Sequence, residues 1–146
     1  ARGGVDVEDA AADVVRRLVD PLRGLPAHHG RAMAIAAGLI IGGKKPVCII
    51  QNTGMYESGD SIRGMALDLQ MPMVIMVGYR GYTRHGRSAD SAGLYTEPFL
   101  NTWGLHYYLV ENDGDAERIS WAFHEAAADN KPMVVLVGDE YHGFNR

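Results

Sequence analysis

A single cysteine, Cys48, stands in 146 residues, so no disulfide framework can form within one chain. That scarcity suits a reducing, cytosolic setting. Long hydrophobic runs are also missing. The longest nearly apolar stretch, residues 32–43, is too short to span a bilayer, and no signal-peptide pattern opens the sequence. A cytoplasmic protein with no membrane partner is therefore expected. Charge of one sign is not concentrated anywhere. The net charge is −4, and Lys and Arg are scattered, which argues against a nucleic-acid partner. Repeats, low-complexity tracts and linker-like stretches are absent. The length of 146 residues fits a single domain, residues 1–146, with a core of its own.

What is present is an alternation of short apolar runs with helical patterns, which favours an α/β sheet over a bundle or a sandwich. Helices are expected over residues 7–22, where Val14, Val15 and Leu18 recur at helical spacing before Pro21, and over the small-residue stretch 32–41. Further helices are expected over 58–69, over 96–103 with Thr96 as cap and Pro98 in the first turn, and from Asp113 or Asp115 to about Ala128. Strands are expected at Val47–Gln51, 73–78, His106–Val110 and Met133–Val137. Between them, residues 79–95 carry glycine, arginine and serine without periodicity and read as a long loop.

The run from Val47 to Ile50 is short, β-branched and bounded by Pro46 and Gly54, which suits an inner strand covered on both faces. The polar corner after it then lies at a strand's carboxyl end, the usual ligand crevice of an open α/β sheet. Gln51, Asn52 and Thr53 offer amide and hydroxyl groups to a polar ligand. The competing reading is an ordinary β-to-α loop in which Asn52 or Thr53 caps the next helix.

The ordered series of these pieces carries a family resemblance. Ala34, Ile35, Ala36, Ala37 and Gly38 are followed by Gly42, Gly43, Lys44, Lys45 and Pro46. Then come Gln51, Asn52, Thr53 and Gly54, and later Pro72 with its apolar strand and Tyr79, Arg80 and Gly81. Over roughly residues 27–138 the chain resembles the pyrimidine-binding domain of sulfopyruvate and phosphonopyruvate decarboxylases, which are thiamine diphosphate enzymes. The resemblance implies a three-layer, doubly wound, mostly parallel sheet. It also implies the α half of a two-component 2-oxo acid decarboxylase or carbon–carbon lyase or ligase. Thiamine diphosphate and Mg2+ would then be held mainly by a diphosphate-binding β subunit, with no metal ligand in this chain. In that picture Gly30, Gln51, Asn52, Thr53, Gly54 and Met55 line the pyrimidine side of an interfacial site. Arg80, whose guanidinium matches an anionic group, and His85 in the basic loop face the substrate. The competing readings are a salt bridge from Arg80 to a neighbouring loop and a solvated loop around His85.

One departure falls on the residue most tied to the chemistry. The family carries a glutamate that hydrogen-bonds a ring nitrogen of the aminopyrimidine; here Gly30 stands nearest that position, and no Asp or Glu occurs from Pro21 to Tyr56. His28 or His29 can take over, because imidazole donates or accepts near neutral pH. Alternatively the carboxylate comes from Glu57 or Asp60, or the chain lacks the standard activation. The loop also has Ala89 where relatives often place a histidine. A different class of function therefore stays open: a non-catalytic structural or regulatory subunit that has lost the activating glutamate.

Overall fold

The computed structural model describes residues 29–85 and 88–138. The helix expected over residues 7–22, the candidate His28 and the loop residue Arg87 lie outside the described residues. Among the described residues, four strands form one all-parallel sheet: β1 (Val47–Gln51), β2 (Val74–Gly78), β3 (His106–Val110) and β4 (Met133–Val137), in the order β1-β2-β4-β3. The α/β class and the parallel sheet are as expected. Val47 pairs with Val74, Val74 with Met133 and Met133 with His106, so all four strands start level and end on one edge.

The strands are largely apolar on both sides, and alternate residues feed two separate cores. The expectation of an inner strand covered on both faces is corrected for β1, which lies at the end of the described sheet and leaves Ile49 64 % exposed, because only β2 flanks it. On one face Cys48, Ile50, Ile75, Val77, Val134 and Leu136 pack with Met33, Met55, Ile62 and Leu100. These last four come from α1 (His29–Ile41), α2 (Asn52–Glu57), a π-helical segment (Ile62–Leu67) and α4 (Ser91–Thr102). A single turn, α3 (Gly59–Ser61), joins α2 to the π-helical segment. On the other face Val74, Met133 and Val135 pack against Ala122 and Ala126 of α5 (Glu117–Asp129). Helices on both faces make three layers. Burial pushes the Cys48 thiol up to about 11, so it is an inert core residue rather than a nucleophile.

Three helices start earlier than the sequence pattern suggests, α1 at His29 rather than at residue 32. After β1 the chain turns directly into α2 at Asn52 rather than at residue 58. In α4 Thr96 is buried in the middle of the helix, and Pro98 lies inside it. The cap is Asp90, whose carboxylate accepts from the Ala92 N–H at 2.9 Å. The loop after β2 is correspondingly shorter. Gly81 takes φ of +80°, and a Cβ at Gly93 would lie 2.5 Å from the Gly81 carbonyl oxygen. Loop and helix meet backbone to backbone there, which only the glycines allow.

Candidate functional site

Because the strands are parallel, their carboxyl ends gather Gln51 and Asn52, Tyr79 and Arg80, Glu111 and Gly138 along one edge of the sheet. α1 runs back along the sheet from that edge, so its first residue, His29, meets α2. The Cγ, Cδ2 and Nε2 edge of the His29 ring lies against Gly54, where a Cβ would come within 2.5 Å of Cδ2 and 2.7 Å of Nε2. The ring's other side faces Glu57. The Glu57 carboxylate accepts from the backbone N–H of His29 at 3.4 Å and contacts ring Nδ1 directly. Both side chains stay partly open to solvent, 35 % for His29 and 49 % for Glu57.

Position 30 is placed beside this pair. A Cβ on Gly30 would lie 2.8 Å from the Ser61 hydroxyl, so a longer side chain there requires Ser61 to move. Of the two carboxylates nearest in sequence, Glu57 reaches the start of α1. Asp60 is turned away, 90 % exposed and paired with Arg63 at 2.7 Å.

The remaining corner residues divide into exposed and internal ones. Gln51 and Thr53 are exposed and joined to each other, the Thr53 hydroxyl donating to Gln51 Oε1 at 2.7 Å. Asn52 is fully buried. Its Nδ2 donates to the Arg80 carbonyl at 2.9 Å, the Ala92 carbonyl at 3.2 Å and Thr96 Oγ1 at 3.0 Å, while its Oδ1 accepts from the Thr53 N–H. That amide is committed to tying β1, the loop after β2 and α4 together. The Met55 side chain is likewise wholly inside the core. Tyr56 adds a second tie, donating to the Ala92 carbonyl at 2.6 Å and packing edge-on to Phe99.

Arg80 projects from the end of β2, and its Nε donates to Asp90 at 2.8 Å. The backbone bond from Ala92 and then Arg80 hold the Asp90 carboxyl below its ordinary range. His85 is exposed on the loop. Nearby, Tyr82 donates to Glu111, and Arg84 Nε lies 3.2 Å from the same carboxylate. Burial, followed by the bond to Glu111, pushes Tyr82 up to about 12. The Tyr82 bond, followed by Arg84, depresses the Glu111 carboxyl.

A depressed carboxyl stabilises the fold above its unfolded-state value, about 4.3 for Glu, and that contribution is lost as pH falls through the lower folded value. Glu111→Gln is therefore expected to flatten the decline of stability below about pH 4, read as urea midpoints at neutral and acid pH. An unchanged acid limb would show that Tyr82 and Arg84 do not hold this charge in solution.

The described residues contain no group of three or more His, Cys, Asp or Glu side chains placed to hold a metal. No described helix is long and apolar enough to cross a membrane. A shallow groove lined by His106, Tyr108, Glu125 and Met133 opens at the opposite edge of the sheet and shares no residue with the corner. Sequence reasoning named His29 and Glu57 separately but missed their contact. A helix started at Asn52 would have put Gly54 and Glu57 on one face, three residues apart.

No family model matches the chain. Two curated proteins do. It is 24 % identical over 106 residues to sulfopyruvate decarboxylase of Methanosarcina acetivorans, covering 72 % of this chain and 27 % of that protein. It is 24 % identical over 111 residues to sulfopyruvate decarboxylase subunit alpha of Methanococcus maripaludis, covering 75 % of this chain and 66 % of that subunit. The matched part thus spans less than two thirds of either relative. The resemblance read from the sequence is borne out at the level of these relatives.

Proposed function

We propose that this chain, as a relative of sulfopyruvate decarboxylase, is the α half of a two-component, thiamine diphosphate-dependent enzyme. It would supply the pyrimidine side of an active site completed by a diphosphate-binding β subunit. The similarity to a protein named as an alpha subunit, over 75 % of this chain, is the observation that carries this reading. The donor set at the corner supports it. An imidazole joined to a carboxylate, two exposed hydrogen-bonding side chains and a glycine without bulk suit a flat heterocycle with ring nitrogens and an amino group.

When bound, the cofactor would supply a nucleophilic carbon that adds to the 2-oxo carbon and a cationic ring that takes up the electron pair released with carbon dioxide. This chain's own part is to orient the ring and to manage its proton. His29 holds or shares a proton at Nε2, and Gln51 and Thr53 give hydrogen bonds. Gly54 lets the imidazole lie against the backbone. Arg80, steered by Asp90, offers its guanidinium to an anionic group of the substrate, and His85 adds a cationic or hydrogen-bonding contact from the loop. The diphosphate and Mg2+ fall to the partner. Gly30 favours a second reading, a non-catalytic subunit, if Glu57 and His29 do not replace the expected glutamate.

Calorimetric titration of thiamine diphosphate with magnesium, into the chain alone and into the chain co-expressed with a diphosphate-binding partner, tests the proposal. Binding in the complex alone, followed by release of carbon dioxide from sulfopyruvate or another 2-oxo acid, is the expected result. Binding in neither sample overturns it in favour of the structural subunit.

A further inference from the structure

Glu57 makes two contacts with His29, and they do different things. Accepting from the backbone N–H satisfies an orphan donor at the start of α1, which is what a helix start requires. The contact with ring Nδ1 is not needed for that. It selects a tautomer: with Nδ1–H turned to the carboxylate, a neutral ring presents a lone pair at Nε2. An imidazolium presents Nε2–H, with its counter-charge on the far side. Nε2 belongs to the ring edge that lies against Gly54, in the corner between β1 and α2. Position 30 beside it carries no side chain and is crowded by Ser61, whereas Asp60 is engaged with Arg63.

We propose that His29 and Glu57 act as one unit, a carboxylate–imidazole pair in which Nε2 exchanges a proton with a ring nitrogen of an aminopyrimidine-type ligand. This rests on the reading of function above. The exchange balances within the pair and its ligand. The imidazolium gives its Nε2 proton to the ring nitrogen and becomes neutral with Nδ1–H still on Glu57; the reverse transfer restores it. Glu57 keeps its charge throughout and is a positioning residue, with His29 the group that touches the ligand.

The test uses the full chain, 15N-labelled at histidine, in complex with its diphosphate-binding partner, and titrates in thiamine diphosphate with magnesium. In the neutral ring, Nδ1 of His29 is expected to resonate as a protonated nitrogen and Nε2 as an unprotonated one. Glu57→Ala is expected to abolish that preference and to lower kcat by about 10- to 100-fold, part of the 10²–10⁴ that positioned proton transfer supplies. Glu57→Gln, whose amide oxygen can still accept from Nδ1–H, keeps the tautomer and recovers part of the rate. It also guards against the alanine variant failing to fold.

A helix cap alone would leave the tautomer unchanged in Glu57→Ala, which overturns the pair. Cofactor binding that leaves the Nε2 signal of the wild type unmoved overturns the ligand contact while leaving the functional reading standing. A wild-type complex that binds no cofactor overturns that reading and the ligand role with it.

Discussion

His29→Ala, in the complex with the diphosphate-binding partner, is expected to lower kcat by about 10²–10⁴-fold, the range supplied by a positioned proton donor or acceptor. The stability of the chain is expected to change little, by about 0.5 kcal/mol, because a partly exposed side chain outside the core carries little burial. The alanine leaves the Gly54 backbone uncovered and removes both ring nitrogens from the corner. Added imidazole, small enough to enter the vacated space, is expected to restore part of the rate. The check is a steady-state comparison of kcat and KM beside urea unfolding of the same samples. A fall of less than about tenfold would assign the proton to another group.

Asn52→Leu should cost the most stability, about 3–5 kcal/mol, although leucine has the same branched skeleton and heavy-atom count as asparagine. The two Nδ2 hydrogens, shared among three acceptors, lose bonds worth about 1 kcal/mol each, while the Thr53 N–H that Oδ1 accepts belongs to an exposed residue and can turn to water. The Ala92 carbonyl keeps its bonds from Tyr56 and Thr96, so it is not stranded. The Arg80 carbonyl loses the Asn52 amide, and leaving such a group unpaired adds about 1–3 kcal/mol. Urea unfolding of the variant gives the number directly. A loss under about 1 kcal/mol would mean that water reaches these acceptors and that Asn52 is not the tie between β1 and α4.

The strands were legible in the sequence because a sheet flanked by helices writes itself as nearly unbroken apolar runs, even in β1, where Ile49 is exposed. Val47–Gln51, His106–Val110 and Met133–Val137 occur where expected, and β2 begins one residue later than read. Helix starts were less legible. Asn52 and Thr53 have the chemistry of caps, yet Asn52 sends its amide into the interior, and Gln51 stands at the helix entry with no side-chain bond to it. Pro98 suggests a first turn because its missing N–H is harmless there. In α4 it instead sits eight residues into the helix, and Asp90 supplies the cap.

The candidate site was half legible for a related reason. Residue type alone could nominate His29 and Glu57, but their meeting depends on α1 and α2 both starting at the same edge, which brings together residues 28 apart in the chain. Arg80 was read as either a substrate contact or a partner in a salt bridge to a neighbouring loop. The second arrangement is the one present, with Asp90.

The strand order β1-β2-β4-β3 also governs how the chain can assemble as it is made. β4 lies between β2 and β3 and is bonded to both, yet among the described strands it comes last in the chain. Until Val137 has emerged from the ribosome, β3 has no neighbour among the described strands and the edge of β2 that β4 will cover is open. A nascent chain therefore holds a two-strand fragment and a detached apolar strand, and the sheet closes in one late insertion. Such non-local closure is slow and leaves unpaired edges exposed in the meantime. Yield in the cell should then depend on chaperone capacity during synthesis more than on the stability of the finished fold.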